Sequence, residues 1–224
     1  MTAYAARTGT RRNLAALKAH GWRLMISARG KLRTEGFAYA LDNGAWTAFQ
    51  EWQRGTRASA EPCLASFRRA VSLLGAGADF VVVPDIVLGG ARSLAMSRAW
   101  LRRLRRDHRL KRARLLIAVQ NGMVAADVER FLCARVGLFV GGDTEWKLAT
   151  MAGWSRLAHA RGAICHVGRV NTARRIRQCD IAGADSFDGS GPARFLDTLS
   201  RAVAGLAQPD LEGLLNRRPT ELAA

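Results

Sequence analysis

Eight short apolar runs recur along the chain, each ending on a polar or glycine-containing turn, and this rhythm limits the fold more than any other feature. The runs are residues 3–8, 22–28, 37–44, 79–86, 114–122, 137–143, 163–170 and 184–190. Several, such as "DFVVVPDI" and "RLLIAVQNG", are continuous in Val, Ile, Leu and Phe rather than alternating with polar residues. That composition suits parallel strands covered on both faces. Segments with helical spacing lie between them: 11–21 closing on Gly21, 62–75 with Pro62 at its start, 93–106, 124–134, 144–161, 171–182 and 192–206. Eight strands alternating with helices predict a compact (β/α)8 TIM barrel, a single domain over residues 1–208, with 209–224 as a tail that packs as a short helix or frays. A doubly wound open sheet would give the same alternation. Residues 29–36 are too few for a crossover helix, so that connection is expected to be irregular.

Composition narrows the setting. No apolar run reaches the roughly eighteen residues needed to span a bilayer. The opening "MTAYAARTGTRRN" lacks the apolar stretch of a signal peptide, so a cytoplasmic protein with no membrane partner is expected. Cys63, Cys133, Cys165 and Cys179 are scattered and form no CxxC or Cys/His cluster, which reads as idle thiols. Neither a metal site nor a cofactor is expected. The charge balance, 35 − 18 = +17, points to a polyanionic partner, nucleic acid before membrane. Of the 35 basic residues, 31 are Arg, a skew that GC-rich coding can produce; it leaves the net charge unchanged.

In a parallel α/β fold, functional groups gather at the carboxyl ends of the strands. Those ends carry Arg7, Asp42 with Asn43, Asp85, Gln120 with Asn121, Gly141-Gly142-Asp143, His166 with Arg169, and Asp188. Singly, each has a plainer reading. Asp or Asn after a strand is common turn or N-cap material, Gly-Gly makes a tight turn, and a histidine in an apolar strand is often a satisfied core residue. Their recurrence at strand after strand is what favours a site. In "DSFD", Asp185 and Asp188 point to opposite faces of a strand, and Asp188, nearer its end, is expected to face the pocket. The run from Arg98 to Arg114 holds nine basic residues against one acid, Asp107. It spans a helix end and the next strand start, the face away from a barrel's active site, and reads as a solvated surface. Basic residues near the carboxyl rim, namely Arg7, Arg11, Arg12, Arg29, Lys31, Arg33, Arg169, Arg174 and Arg194, suit phosphate contacts better.

"LDNGAW", "VVVPDIV", "AVQNG", "FVGGD", "HVGRVN" and "GADSFDGS", in this order, resemble the motifs of the tRNA-guanine transglycosylase superfamily. The likeness runs over about residues 3–195 and is nearest to the DNA-directed branch of phages and bacterial genomic islands, which inserts 7-deazaguanine bases such as preQ0. The resemblance implies a TIM barrel and base exchange at a nucleoside. It assigns Asp188 as nucleophile and Asp42 as acid/base partner. Asp85 and Gln120, with Asn43 and His166 beside them, would read the base, and the Gly141-Gly142 backbone would hold its carbonyl. Arg7, Arg11, Arg12, Arg169 and Arg194 would hold phosphates. The zinc-binding CxCxxC pattern and the RNA-binding domain of the tRNA enzymes are missing, Ala45-Trp46 replaces a glycine of the first motif, and Asp143-Thr144-Glu145 follows the Gly-Gly turn. DNA is therefore the expected partner, ahead of tRNA, with a free deazaguanine base as second substrate. A nucleoside or DNA glycosylase and a non-catalytic nucleic-acid-binding barrel stay open, as do a homo-oligomer and an accessory protein.

Overall fold

The computed structural model of the protein describes residues 1–7 and 10–207. Its eight strands are β1 (Thr2–Ala6), β2 (Arg23–Ser27), β3 (Tyr39–Asp42), β4 (Ala78–Val82), β5 (Arg114–Val119), β6 (Val136–Val140), β7 (Cys165–Val167) and β8 (Ser186–Gly189). All pair in parallel and in chain order, and β1 closes on β8 through Tyr4 opposite Asp188. The chain is thus a (β/α)8 TIM barrel, and the open-sheet alternative is excluded. The expected tail, 209–224, lies outside the described residues.

The helices are α1 (Arg11–Ala19), α2 (Ala45–Gln53), α3 (Leu64–Leu74), α4 (Gly90–Arg105), α5 (Ala125–Val128), α6 (Thr144–Ala160), α7 (Ala173–Ile181), α8 (Gly191–Arg194) and α9 (Leu196–Ala207). Three departures from the sequence reading have local causes. The unforeseen helix α2 starts from Gly44 in the left-handed region with no capping side chain, so it lacks the usual start signal. The segment 124–134 holds one helical turn followed by a 3-10 turn over Glu129–Phe131. The segment 192–206 breaks at extended Phe195 into α8 and α9. As expected, no helix forms between β2 and β3. No helix among the described residues is long and apolar enough to cross a membrane.

Strand parity decides what faces the barrel axis. Ala3, Ala5, Leu24, Ile26, Val81, Leu115, Leu138, Val167 and Phe187 point outward into the main core beneath the helices. Tyr4, Met25, Ala40, Phe80, Val82 and Leu116 point inward and fill the barrel with Phe139 and Ile164. Continuing the inward parity by two residues reaches Asp42 from Ala40 on β3 and Asp188 from Ser186 on β8. The same alternation that packs the core therefore delivers carboxylates to the mouth.

Candidate active site

The mouth at the carboxyl ends is a cleft of about 590 Å³ whose wall includes Asp42, Asp85, Asp188, Trp46, Lys147 and Arg169. Asp188 is held on both oxygens. Its Oδ2 lies 3.0 Å from His166 Nε2, and its Oδ1 accepts from the Arg169 amide at 3.3 Å. A carboxylate only accepts, so His166 donates through Nε2, and its Nδ1 is hydrogen-bonded with the Ser186 hydroxyl at 2.8 Å. The imidazole is fully buried, stacked on Phe139 with Tyr4 edge-on and Phe80 tilted against it. His166, expected at the base edge, is thus a strut below the cleft that fixes Asp188. The other acid of "DSFD", Asp185, goes the opposite way, bonding His159 Nε2 at 2.9 Å and the Cys165 amide at 2.7 Å.

Asp42 lies across the mouth, accepting from the Gly44 amide at 3.1 Å. Burial and then the charge of Asp188 push its carboxyl up to about 6, against the pull of the Gly44 and Asn43 amides and the Ser27 hydroxyl. Asp85 is pushed up to about 7, mainly by burial and secondarily by Asp42, while its hydrogen bond from Asn43 acts the other way. Asn43 is buried, with Nδ2 donating to Asp85 Oδ1 (2.7 Å) and the Val83 carbonyl (2.8 Å) and Oδ1 accepting from the Ala45 amide (2.8 Å). Both its donors are taken, so it orients Asp85 and starts α2 rather than reading a ligand.

Gln120 also departs from its expected role. Its Nε2 donates to the Ile86 carbonyl at 2.9 Å and Ser93 Oγ at 2.7 Å, and its Oε1 accepts from the Leu88 amide at 2.5 Å. These bonds tie the loop after β4 to the cleft floor and leave no donor for a base. Gly141 lines the cleft, but its amide donates to the Val119 carbonyl at 2.8 Å. Gly142 sits at φ +72°, where an added Cβ would come within 2.6 Å of Asn121 Oδ1 and 2.7 Å of the Trp146 ring. That turn needs glycine on both counts. Its carbonyl accepts from the Arg169 guanidinium at 3.0 Å.

The expected phosphate ligands separate. Arg169 and exposed Arg194 line the cleft. Arg169 takes a left-handed φ of +58°, and its guanidinium lies 3.8 Å from the centre of the Trp46 ring, joining the β3, β6 and β7 loops over the mouth. Arg7 is ion-paired with Glu35, while Arg11 and Arg12 are exposed in the first turn of α1, outside the cleft wall.

Lys147 and Trp46 were missed in the sequence. Lys147, in the first turn of α6, is buried and donates to the Gly168 carbonyl at 2.5 Å. Burial and then neighbouring Arg169 bring its ammonium down to about 8. Nothing in the sequence sets it apart from Lys18, Lys31 and Lys111, the other lysines of this arginine-dominated chain, which are all exposed. Trp46 was hidden because its helix was. Among the described residues no group of three or more His, Cys, Asp and Glu side chains could hold a metal ion. No protein-family model matches the chain, and no curated protein matches it.

Proposed function

We propose that the protein exchanges a purine base at a nucleoside of DNA, guanine leaving and a 7-deazaguanine such as preQ0 entering. The observation that carries this reading is the pair of carboxylates at the mouth: Asp188, fixed on both oxygens, and Asp42, whose proton affinity is raised in its presence. An Asp188 oxygen bonds C1′ as the C1′–N9 bond breaks, and the electron pair leaves with guanine, which takes a proton from Asp42. The deazaguanine then gives its N9 proton to Asp42, attacks C1′ and releases Asp188. Asp85, with an affinity near neutrality, can accept from or donate to the base edge as Asn43 holds it in place. Trp46 lines the same cleft, its ring stacked with the Arg169 guanidinium. Since C1′ is shielded in a stacked duplex, the target nucleotide is flipped out or unpaired.

The test is incorporation of radiolabelled guanine and preQ0 into DNA and, separately, into tRNA, by the wild-type protein and by Asp188→Asn. Label in DNA that disappears in the variant supports the proposal. Label in tRNA alone would move the substrate, and release of guanine without any incorporation would make the protein a glycosylase.

A further inference from the structure

Two concentrations of positive charge lie outside the cleft, and their surroundings differ. The Arg98–Arg114 block covers the end of α4 and the start of β5, at the amino ends of the strands. There Arg109 pairs with Asp107, Arg105 bonds the Phe131 carbonyl, and Arg103 packs on Trp100. The hollow beside it, lined by Arg23, Arg112 and Arg114, also contains Asp79 and Asp185. An anion there meets negative charge as well as positive, on the end of the barrel away from the chemistry.

The second concentration is a groove of about 640 Å³ between the β2–β3 loop and α3, walled by Arg29, Lys31, Arg33, Ser66 and Arg69, with no carboxylate in its lining. Lys31, Arg33 and Arg69 are exposed and make no ion pair among the described residues, whereas Arg29 is held by Glu51 at 2.8 Å. Ala28 to Arg33, which line the groove, follow directly on Ser27, which lines the cleft. Arg29 and Ser27 adjoin its rim: the Ser27 hydroxyl bonds Asp42, and the Arg29 side chain packs so closely on Gly44 that a Cβ there would lie 2.8 Å from Arg29 Cγ. Exposed cations in a groove without carboxylates match a phosphodiester backbone, whose binding they strengthen by releasing condensed counterions.

We infer that this groove is the track for the substrate strand, Lys31, Arg33 and Arg69 contacting the phosphates that flank the nucleotide placed in the cleft. The assignment rests on the nucleic-acid reading of the cleft, yet it is tested by binding alone. The experiment measures affinity for a fluorescent single-stranded DNA oligonucleotide between 50 and 200 mM salt, without free base. It compares the wild type, Lys31→Gln/Arg33→Gln/Arg69→Gln, and Arg102→Gln/Arg106→Gln/Lys111→Gln/Arg112→Gln. Three lost phosphate contacts should make the log–log salt slope shallower by about 2. The loss of affinity across that salt range would then be about twentyfold smaller in the groove variant and unchanged in the other. An unchanged groove variant, a loss confined to the opposite-face variant, or a wild type without salt-dependent binding would each overturn the assignment. A groove result as expected, with no base exchange in any variant, would leave the track standing and remove the exchange reaction.

Discussion

Asp85 shows most directly how placement sets chemistry at the scale of one residue. Its carboxyl, pushed up to about 7, binds a proton more tightly in the folded chain than in the unfolded one, where the ordinary value is 3.8. The resulting stabilisation is complete below about pH 4 and is lost as pH rises through about 7. Asp85→Asn should therefore match the wild type in stability at pH 4 and exceed it at pH 8, by on the order of 4 kcal/mol. Urea unfolding at the two pH values measures this, and an equal offset at both would contradict it. Asp188→Asn should remove about a thousandfold or more of exchange activity while leaving the free energy of unfolding within about 1 kcal/mol, because the side chain stands at a partly open mouth and not in the core. Retained turnover would take the nucleophile role from Asp188.

At the scale of elements, the support for the site is the packing of β6, β7 and β8 inside the barrel. Phe139 stacks on His166, and Gly168 leaves room for the Phe139 ring, since an added Cβ would lie 2.4 Å from Phe139 Cζ and 3.4 Å from Asp188 Oδ2. Gly168→Ala should thus cost about 1–3 kcal/mol by overpacking and tilt the imidazole that fixes Asp188. Denaturant titration with a parallel exchange assay would check it, and a variant unchanged in both would show that the stack does not set the carboxylate. The strands and their polar ends were legible because each buried strand is an apolar run with a turn after it. The destinations of Asn43, Gln120 and His166 were not, because a sequence shows that an amide or imidazole is near a strand end and not which neighbours satisfy it. Helix α2 escaped for a related reason: its start is set by a left-handed Gly44 and its aromatic residues also suit strands.

At the scale of the whole molecule, closure couples the two ends of the barrel sequence to the site. β8 hydrogen-bonds to β1, placing Asp188 opposite Tyr4. Deleting residues 1–6 removes β1, opens the ring and exposes the inward face of β8, so the cooperative unfolding transition should disappear in a urea titration followed by circular dichroism. A truncated chain with the same midpoint would show that closure is dispensable. The net charge of +17 was plain in the composition, but its division between an amino-end face that also carries Asp79, Asp107 and Asp185 and a groove with no carboxylate in its lining depends on which acids the fold brings near.

Nucleophilic attack by Asp188 is tested most directly by intact-protein and peptide mass spectrometry after incubation with a guanine-containing DNA oligonucleotide, quenched in denaturant without incoming base. The expected product is a covalent protein–DNA adduct with one guanine lost, mapped to the peptide containing Asp188, absent in Asp188→Asn and discharged by added preQ0. Guanine release or exchange with no adduct, or an adduct that survives in Asp188→Asn, would contradict it.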